Sequence, residues 1–230
     1  MTGTLAFYTY FYGSTQNPAC AVPRAPSSKY PCFYISNNKA VIEALQATDS
    51  GWTPVFHDIP VSDDLLESCM SGKHIKTMPH ECPMLQAYDY LCYLDTKVQH
   101  VSEEFVERYI QRYFVEQNYA LLLRKHWFIQ GSVWKEYEES MRFDQRYKAE
   151  SERYRQYIHA QIAKGLQETV EDHCACGFLI RNMKHPATAA IGRTWFEHIQ
   201  ECGIQDQLSF YFVKQLFPGC IHAFAEIPFL

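Results

Sequence analysis

Tyr88-Asp89-Tyr90-Leu91-Cys92-Tyr93-Leu94-Asp95-Thr96-Lys97 is the stretch on which the fold of this chain turns. From Tyr90 to Leu94 it is unbroken apolar and aromatic sequence, and it then stops abruptly at three polar residues. A strand with one wet face alternates. A continuous run closed by turn formers is expected of a central strand covered on both sides. Such strands belong to parallel sheets, whose crossover connections lay helices on the faces.

The flanking sequence agrees. Leu5 to Tyr12 is aromatic and β-prone and ends at Gly13-Ser14-Thr15, which reads as a first strand and a turn. A loop follows to about Ser28, broken by Pro18, Pro23 and Pro26, and irregular stretches of that length are usually functional. Tyr30 to Ile35 is a second strand, stopped by Ser36-Asn37-Asn38, which are turn and cap residues. Ala40 to Ala47 is a short helix. Trp52 to Ile59 is a third strand that Pro54 assigns to an edge or to a late start. Strand, helix, strand with short connections is the βαβ pattern of a parallel sheet.

Beyond the central strand, Ser102 caps a helix whose first turn carries Glu103 and Glu104. Phe105, Val106, Tyr109, Ile110, Tyr113 and Phe114 recur at helical spacing within it. The charged, Tyr-rich segment from Gly131 to Leu166 reads as one or two amphipathic helices with a solvated, mixed-sign face. Gly177 to Arg181 is a further buried strand, Ala187 to Cys202 and Gln205 to Phe217 are helices, and Cys220 to Phe224 is a final strand. The expectation is an α/β chain: a mixed, mostly parallel, Rossmann-like sheet flanked by helices in a single domain.

Composition narrows the function classes. The net charge of −5 argues against a general nucleic-acid binder, which carries a basic balance. No apolar run reaches the roughly 18 residues of a membrane span. Met1-Thr2-Gly3-Thr4 has no basic n-region, so no signal peptide is expected. A cytoplasmic protein, a viral protein in host cytoplasm, or a domain cut from an anchor all fit. The nine cysteines are odd in number and scattered, which favours reduced thiols over a disulfide framework. His173-Cys174-Ala175-Cys176 is the one close pair, and no second pair at metal spacing follows it. The aromatic share of 15% fits stacking on bases or sugar rings, but simple core filling is the commoner reason for it.

Chemistry is expected where the central strand ends. Open α/β sheets bind ligands at the carboxyl ends of their strands. Asp95 stands at such an end, placed to hold Mn²⁺ or Mg²⁺ on a diphosphate, with a loop-starting or capping role as the alternative. Lys97, Lys73 and Lys76 lie close enough in sequence to neutralise a phosphate. Asp206 opens a helix; it either caps it, accepts a proton from an acceptor hydroxyl, or holds a donor sugar. Arg181 ends a buried strand and is expected to meet a carboxylate or phosphate, which makes Asp206 and Arg181 the candidate catalytic pair. His222 sits in a late apolar segment, either as a core histidine or as a second metal ligand beside Asp95.

These residues carry a resemblance. Leu5 to Gly13, Cys32-Phe33-Tyr34-Ile35-Ser36-Asn37-Asn38, Lys76-Thr77-Met78-Pro79-His80 and the Tyr88 to Lys97 run resemble, in that order, GT-A glycosyltransferases. More narrowly they resemble a family of glycosyltransferase-like domains found in plants, microbes and large viruses. Lys125-His126, Gly177 to Asn182, Trp195-Phe196-Glu197-His198-Ile199 and Gln205-Asp206-Gln207-Leu208-Ser209-Phe210 continue the likeness over most of the chain. The resemblance implies a nucleotide-binding half over residues 1–98 and an acceptor-side half over 99–230. It implies a UDP- or GDP-linked sugar donor whose base and ribose lie near Thr9, Tyr10, Ser36, Asn37 and Asn38. It also implies Asp95 at a Mn²⁺- or Mg²⁺-diphosphate site, and transfer to a hydroxyl of a glycan or protein-linked sugar. Two positions depart from the pattern. The family's usual two acids, one residue apart, are here Asp95 and Lys97, and Gln205 stands where Arg is more common. The missing second acid motivates an alternative: a catalytically weak nucleotide-sugar-binding or interaction module.

Overall fold

The computed structural model describes residues 3–13, 22–98, 101–143 and 145–227. Part of the expected Gly13 to Ser28 loop, including Pro18, lies outside them, as do Met1, Thr2 and Leu230. Among the described residues nine strands form: β1 (Leu5–Tyr10), β2 (Cys32–Ser36), β3 (Thr53–Phe56), β4 (Tyr90–Leu94), β5 (Leu121–Lys125), β6 (Gly131–Ser132), β7 (Thr169–Val170), β8 (Cys174–Asn182) and β9 (Ile221–Phe224). Eight α-helices lie between them: α1 (Lys39–Gln46), α2 (Leu65–Thr77), α3 (Glu103–Tyr109), α4 (Val133–Phe143), α5 (Gln145–Ala149), α6 (Ser151–Ala163), α7 (Thr188–Cys202) and α8 (Asp206–Leu216).

Seven strands make one sheet in the order β3-β2-β1-β4-β8-β5-β9, and β6 and β7 form a small antiparallel pair. β4 is central, as its unbroken apolar run requires, and β3 is an edge, as Pro54 requires. Every neighbouring pair is parallel except the two that β8 makes, with β4 and with β5. The sheet is therefore mixed and mostly parallel, flanked by helices on both faces.

Local chemistry sets the helix starts. Asn38 caps α1 by accepting from the Ala40 amide, Asp64 caps α2 through the Leu66 and Glu67 amides, and Ser102 caps α3 through the Phe105 amide. After Tyr109, α3 widens into a π-helical turn, Ile110–Val115, which keeps Ile110, Tyr113 and Phe114 buried.

Alternation along the strands divides the core in two. Leu5, Phe7, Tyr34, Cys92, Leu94 and Ile180 face α1, α3 and the π turn. Ala6, Tyr8, Ile35, Leu91, Tyr93 and Leu179 face α2, α7 and α8, whose Ile75, Ile191, Trp195, Ile199 and Phe210 pack on them. A third cluster joins α4 and α6 to the outer side of α8 through Val133, Tyr154, Ile158, Leu208 and Phe212. No helix among the described residues is long and apolar enough to cross a membrane.

Candidate functional site

β1 and β4 are parallel neighbours, with Phe7 opposite Cys92 and Tyr8 opposite Tyr93, so their carboxyl ends open on the same edge of the sheet. A cavity of about 220 Å³ lies there, lined by Tyr10, Tyr12, Cys69, Lys73, Tyr93, Asp95, Thr96, Lys97, Arg146 and Tyr147 among others. β1 supplies Tyr10 and β4 leads into Asp95, whose side chain remains 43% exposed. α2 contributes Lys73, and α5 contributes Arg146 and Tyr147. Among the described residues three cations and one carboxylate line the space, a balance that suits an anionic ligand.

Asp95 is held in place from two sides. The Tyr93 hydroxyl donates to its Oδ1, and its amide donates to the Gly177 carbonyl at 2.8 Å. The β5–β8 register slips between Leu123 and Arg124, and the irregular stretch of β8 brings Gly177 against Asp95. A Cβ at 177 would stand 3.1 Å from Asp95 Oδ2, so glycine leaves the second carboxylate oxygen its room. Burial pushes the phenols of Tyr10 and Tyr93 well above the ordinary range, and the charge of Asp95 pushes Tyr93 further. Both are neutral donors at physiological pH. Their rings stack 5.8 Å apart.

Beneath the cavity lies a buried ionic cluster. Asp206 Oδ2 accepts from Lys76 Nζ at 2.6 Å and from Lys73 Nζ at 2.7 Å, and Lys76 Nζ stands 3.9 Å from Asp95 Oδ1. Burial raises the Asp206 carboxyl, but the two ammonium groups more than offset it and hold the acid below the usual carboxylate range. Burial pulls both lysines down, and Asp206, with Asp95, more than restores them, so they stay above the ordinary lysine value. The Trp195 indole donates to the Asp206 carbonyl at 3.2 Å and to Ser209 Oγ at 3.1 Å, which fixes the first turn of α8.

The fold brings some expected site residues together and separates others. Tyr10, Asp95 and Lys97 share the cavity, and Lys76 and Asp206, which do not line it, connect to it through Asp95 and Lys73. Thr9, Ser36, Asn37 and Asn38 do not line it. Ser36 donates to the Phe11 carbonyl at 2.7 Å, Asn37 donates to the Pro60 carbonyl at 3.1 Å, and Asn38 is the cap of α1. Thr9 Oγ1 and Asn37 Oδ1 are buried without a hydrogen-bond partner among the described residues.

Among the described residues Arg181 meets no carboxylate. Its guanidinium donates to the Tyr8 hydroxyl at 2.9 Å and to the Lys76 carbonyl at 2.6 Å, because it points from mid-sheet into the α2 packing face. His222 and Asp95, joined in one metal site by the sequence reading, are kept apart by the sheet. β9 lies three strands from β4, roughly 14 Å at the usual spacing. His222 stacks on Tyr113 at 4.2 Å, on the face opposite the one carrying Tyr93. Cys174 and Cys176 are buried on β8, and no group of three metal-ligating side chains occurs among the described residues.

Arg146 and Tyr147 escaped the sequence reading because they lie in a charged segment whose surface looks uniformly solvated. Only their place in the lining of the cavity that also holds Asp95 distinguishes them.

The open α/β sheet, its one antiparallel strand and a cation-lined cleft at the carboxyl ends of β1 and β4 define a GT-A-type fold. No family model matches the sequence, and no curated protein matches it. Among solved structures, the apo form of mouse xyloside xylosyltransferase 1 aligns with a TM-score of 0.54 at 10% identity, over 96% of this chain and 85% of that one. The mannosyltransferase Ktr4p of S. cerevisiae aligns at 0.45 and 11% identity, over 97% and 69% of the two chains. A CMP:2-keto-3-deoxy-manno-octonic acid synthetase complexed with CTP aligns at 0.48 and 10%, over 97% and 90%. At such identity the likeness is one of fold.

Proposed function

We propose that this chain is a glycosyltransferase that moves a sugar from a UDP- or GDP-linked donor to a hydroxyl of a glycan or protein-linked sugar, in the cytoplasm. The observation that carries the reading is Asp95: a carboxylate on the rim of the central strand, opening into a cavity whose other charged groups are Lys73, Lys97 and Arg146. The xylosyltransferase among the structural neighbours makes a sugar nucleotide the first ligand to test.

The site fits Mn²⁺ or Mg²⁺ carried in with a diphosphate. Such ions are commonly bound through one or two carboxylates, with phosphate oxygens and water completing the shell. Asp95 supplies one carboxylate, and Gly177 keeps its Oδ2 uncrowded. His222 does not belong to this set. A bound ion there would neutralise charge on the departing nucleoside diphosphate.

The chain's own residues do the rest. Lys73, Lys97 and Arg146 face the phosphates, and the neutral Tyr10 phenol donates a hydrogen bond into the cleft. Asp206 is a poor proton acceptor, since it is shared by two ammonium groups and held below the usual range. In this reading it anchors Lys73 and Lys76 rather than acting as the base. Arg181 acts through Lys76, whose carbonyl it grips. Trp127 and Phe128, both largely exposed, follow β5 on the same edge of the sheet and give an acceptor sugar a surface to stack on.

Incubation with Mn²⁺ and a panel of UDP- and GDP-sugars, with and without acceptors, is expected to release nucleoside diphosphate. No release and no thermal shift with any donor would overturn the reading. One observation favours a second reading, a binding module: Asp95 is the only carboxylate among the described residues lining the cavity, and Lys97 occupies the place of a second acid. Donor binding without turnover across the acceptor panel would decide for it.

A further inference from the structure

Glu136 is a carboxylate inside the molecule that the transfer chemistry does not use. It lies on α4, in a buried stripe with Val133 and Ser140, and is 3% exposed. Its Oε1 accepts from Gln207 Nε2 at 2.7 Å and from Gln205 Nε2 at 3.2 Å. Gln205 Nε2 also donates to Ser140 Oγ at 2.6 Å. The two glutamines bracket Asp206. Gln205 Oε1 accepts from the Gln207 amide at 3.4 Å, capping α8, and Gln207 Oε1 accepts from the Cys176 amide on β8 at 3.2 Å. The start of α8 is thus pinned by α4 on one side and by the sheet on the other.

We propose that Glu136 is a positioning residue for the cleft: through Gln205 and Gln207 it sets the first turn of α8, and with it the Asp206 carboxylate that holds Lys73 and Lys76. The activity part of this claim rests on the transferase reading; the structural part does not.

The surroundings of Glu136 make its charge conditional. From α8 it faces Asp206 and the neutral amides of Gln205 and Gln207, from its own helix Glu139 and Ser140, and from β8 Cys176, while Lys73 and Lys76 of α2 lie beyond Asp206. Burial pushes the carboxyl up, the Gln207 amide pulls it partly back, and Asp206 and Glu139 push it up again, to about 7. Ionised, it accepts from both amides. Protonated, it carries an O–H donor of its own that competes with them. The placement of Asp206 is therefore expected to respond as pH crosses neutrality.

The Trp195 indole N–H donates to the Asp206 carbonyl and reports that placement without any turnover. In nitrogen-15-labelled protein its resonance is expected to titrate with a midpoint near pH 7 in the wild type and not in Glu136→Gln. Gln207→Met, which cuts the shorter of the two links and leaves the carboxyl in place, is expected to shrink the titration, and it guards against a failure of Glu136→Gln to fold. Glu139→Gln is expected to keep it. In turnover assays Glu136→Gln is expected to lose the inflection of kcat near neutrality while donor KM holds steady. A Trp195 resonance that is flat in the wild type, or that titrates equally in Glu136→Gln, overturns the proposal. An inactive wild type would count against the transferase reading and leave the resonance to decide this one.

Discussion

Lys76 Nζ lies 2.6 Å from Asp206 Oδ2, with both side chains buried, and this contact ties α2 to α8 across 130 residues of sequence. Lys73 shares the same oxygen, and Asp95 stands at the far side of Lys76. The two lysines and two aspartates balance one another. Among the described residues Lys97 adds a further cation to the cavity lining, which suits the proposed diphosphate ligand.

Asp206→Asn removes the carboxylate that both lysines share, leaving Lys76 only the longer 3.9 Å contact with Asp95. A buried cation deprived of its partner costs about 3–5 kcal/mol, so the variant is expected to lose roughly that much in urea unfolding. Lys76→Met is expected to cost less, because Asp206 keeps Lys73 as a partner and the apolar side chain fills the space. A smaller loss for Asp206→Asn than for Lys76→Met would contradict the arrangement.

The same cluster sets an acid limit. Asp206 is held below its ordinary value, so its contribution is present above the unfolded value of about 4 and fades as pH falls through the folded one. Lys73 and Lys76, held above theirs, contribute fully below about pH 10 and fade only as pH rises through their folded values. Unfolding free energy measured downward from about pH 4 should fall in the wild type, and fall less steeply in Asp206→Asn.

The parts of this fold that sequence made legible share one property: apolar side chains arranged on a single period. β4 could be read because all five of its residues are buried, and α7 because Ile191, Trp195 and Ile199 repeat every fourth position. α2 could not. Its buried positions are Ser68, Gly72, Ile75, Lys76 and Thr77, so only one is apolar. The helix buries them because Gly72 lets the Tyr10 ring lie against the backbone, where a Cβ would come within 2.2 Å of it, and because Lys76 turns inward to Asp206. β5, a run of leucines closed by Arg124 and Lys125, carries no alternation to separate it from a helical turn. The reversed direction of β8 lies in long-range pairing that no local pattern records. Asp95 was legible as a strand end, whereas Glu136 was hidden among lysines and glutamates that do face solvent.

Asp95→Asn tests the proposed metal and diphosphate role without disturbing the core. The side chain is nearly half exposed, and an amide still accepts from the Tyr93 hydroxyl, so stability should change by no more than about 0.5 kcal/mol. Turnover, and any Mn²⁺-dependent thermal shift with a nucleoside diphosphate, should fall by on the order of 100-fold. An unchanged rate would show that the reacting phosphates lie elsewhere.

Gly177→Ala asks whether the room beside Asp95 matters. The new methyl would stand 3.1 Å from Oδ2 and 3.6 Å from the Val98 side chain, so something must give by a few tenths of an ångström. Asp95 sits on an exposed rim and yields more easily than the β8 backbone, whose Gly177 carbonyl is held by the Asp95 amide. The carboxylate is therefore expected to turn away from the cavity while the sheet stays intact. Donor KM should rise several-fold, Mn²⁺ should be needed at higher concentration, and the melting temperature should stay close to that of the wild type. If donor binding and metal requirement were both unchanged in a folded Gly177→Ala protein, Asp95 Oδ2 would not face the ligand, and the cleft would have to bind its phosphates through Lys73, Lys97 and Arg146 alone.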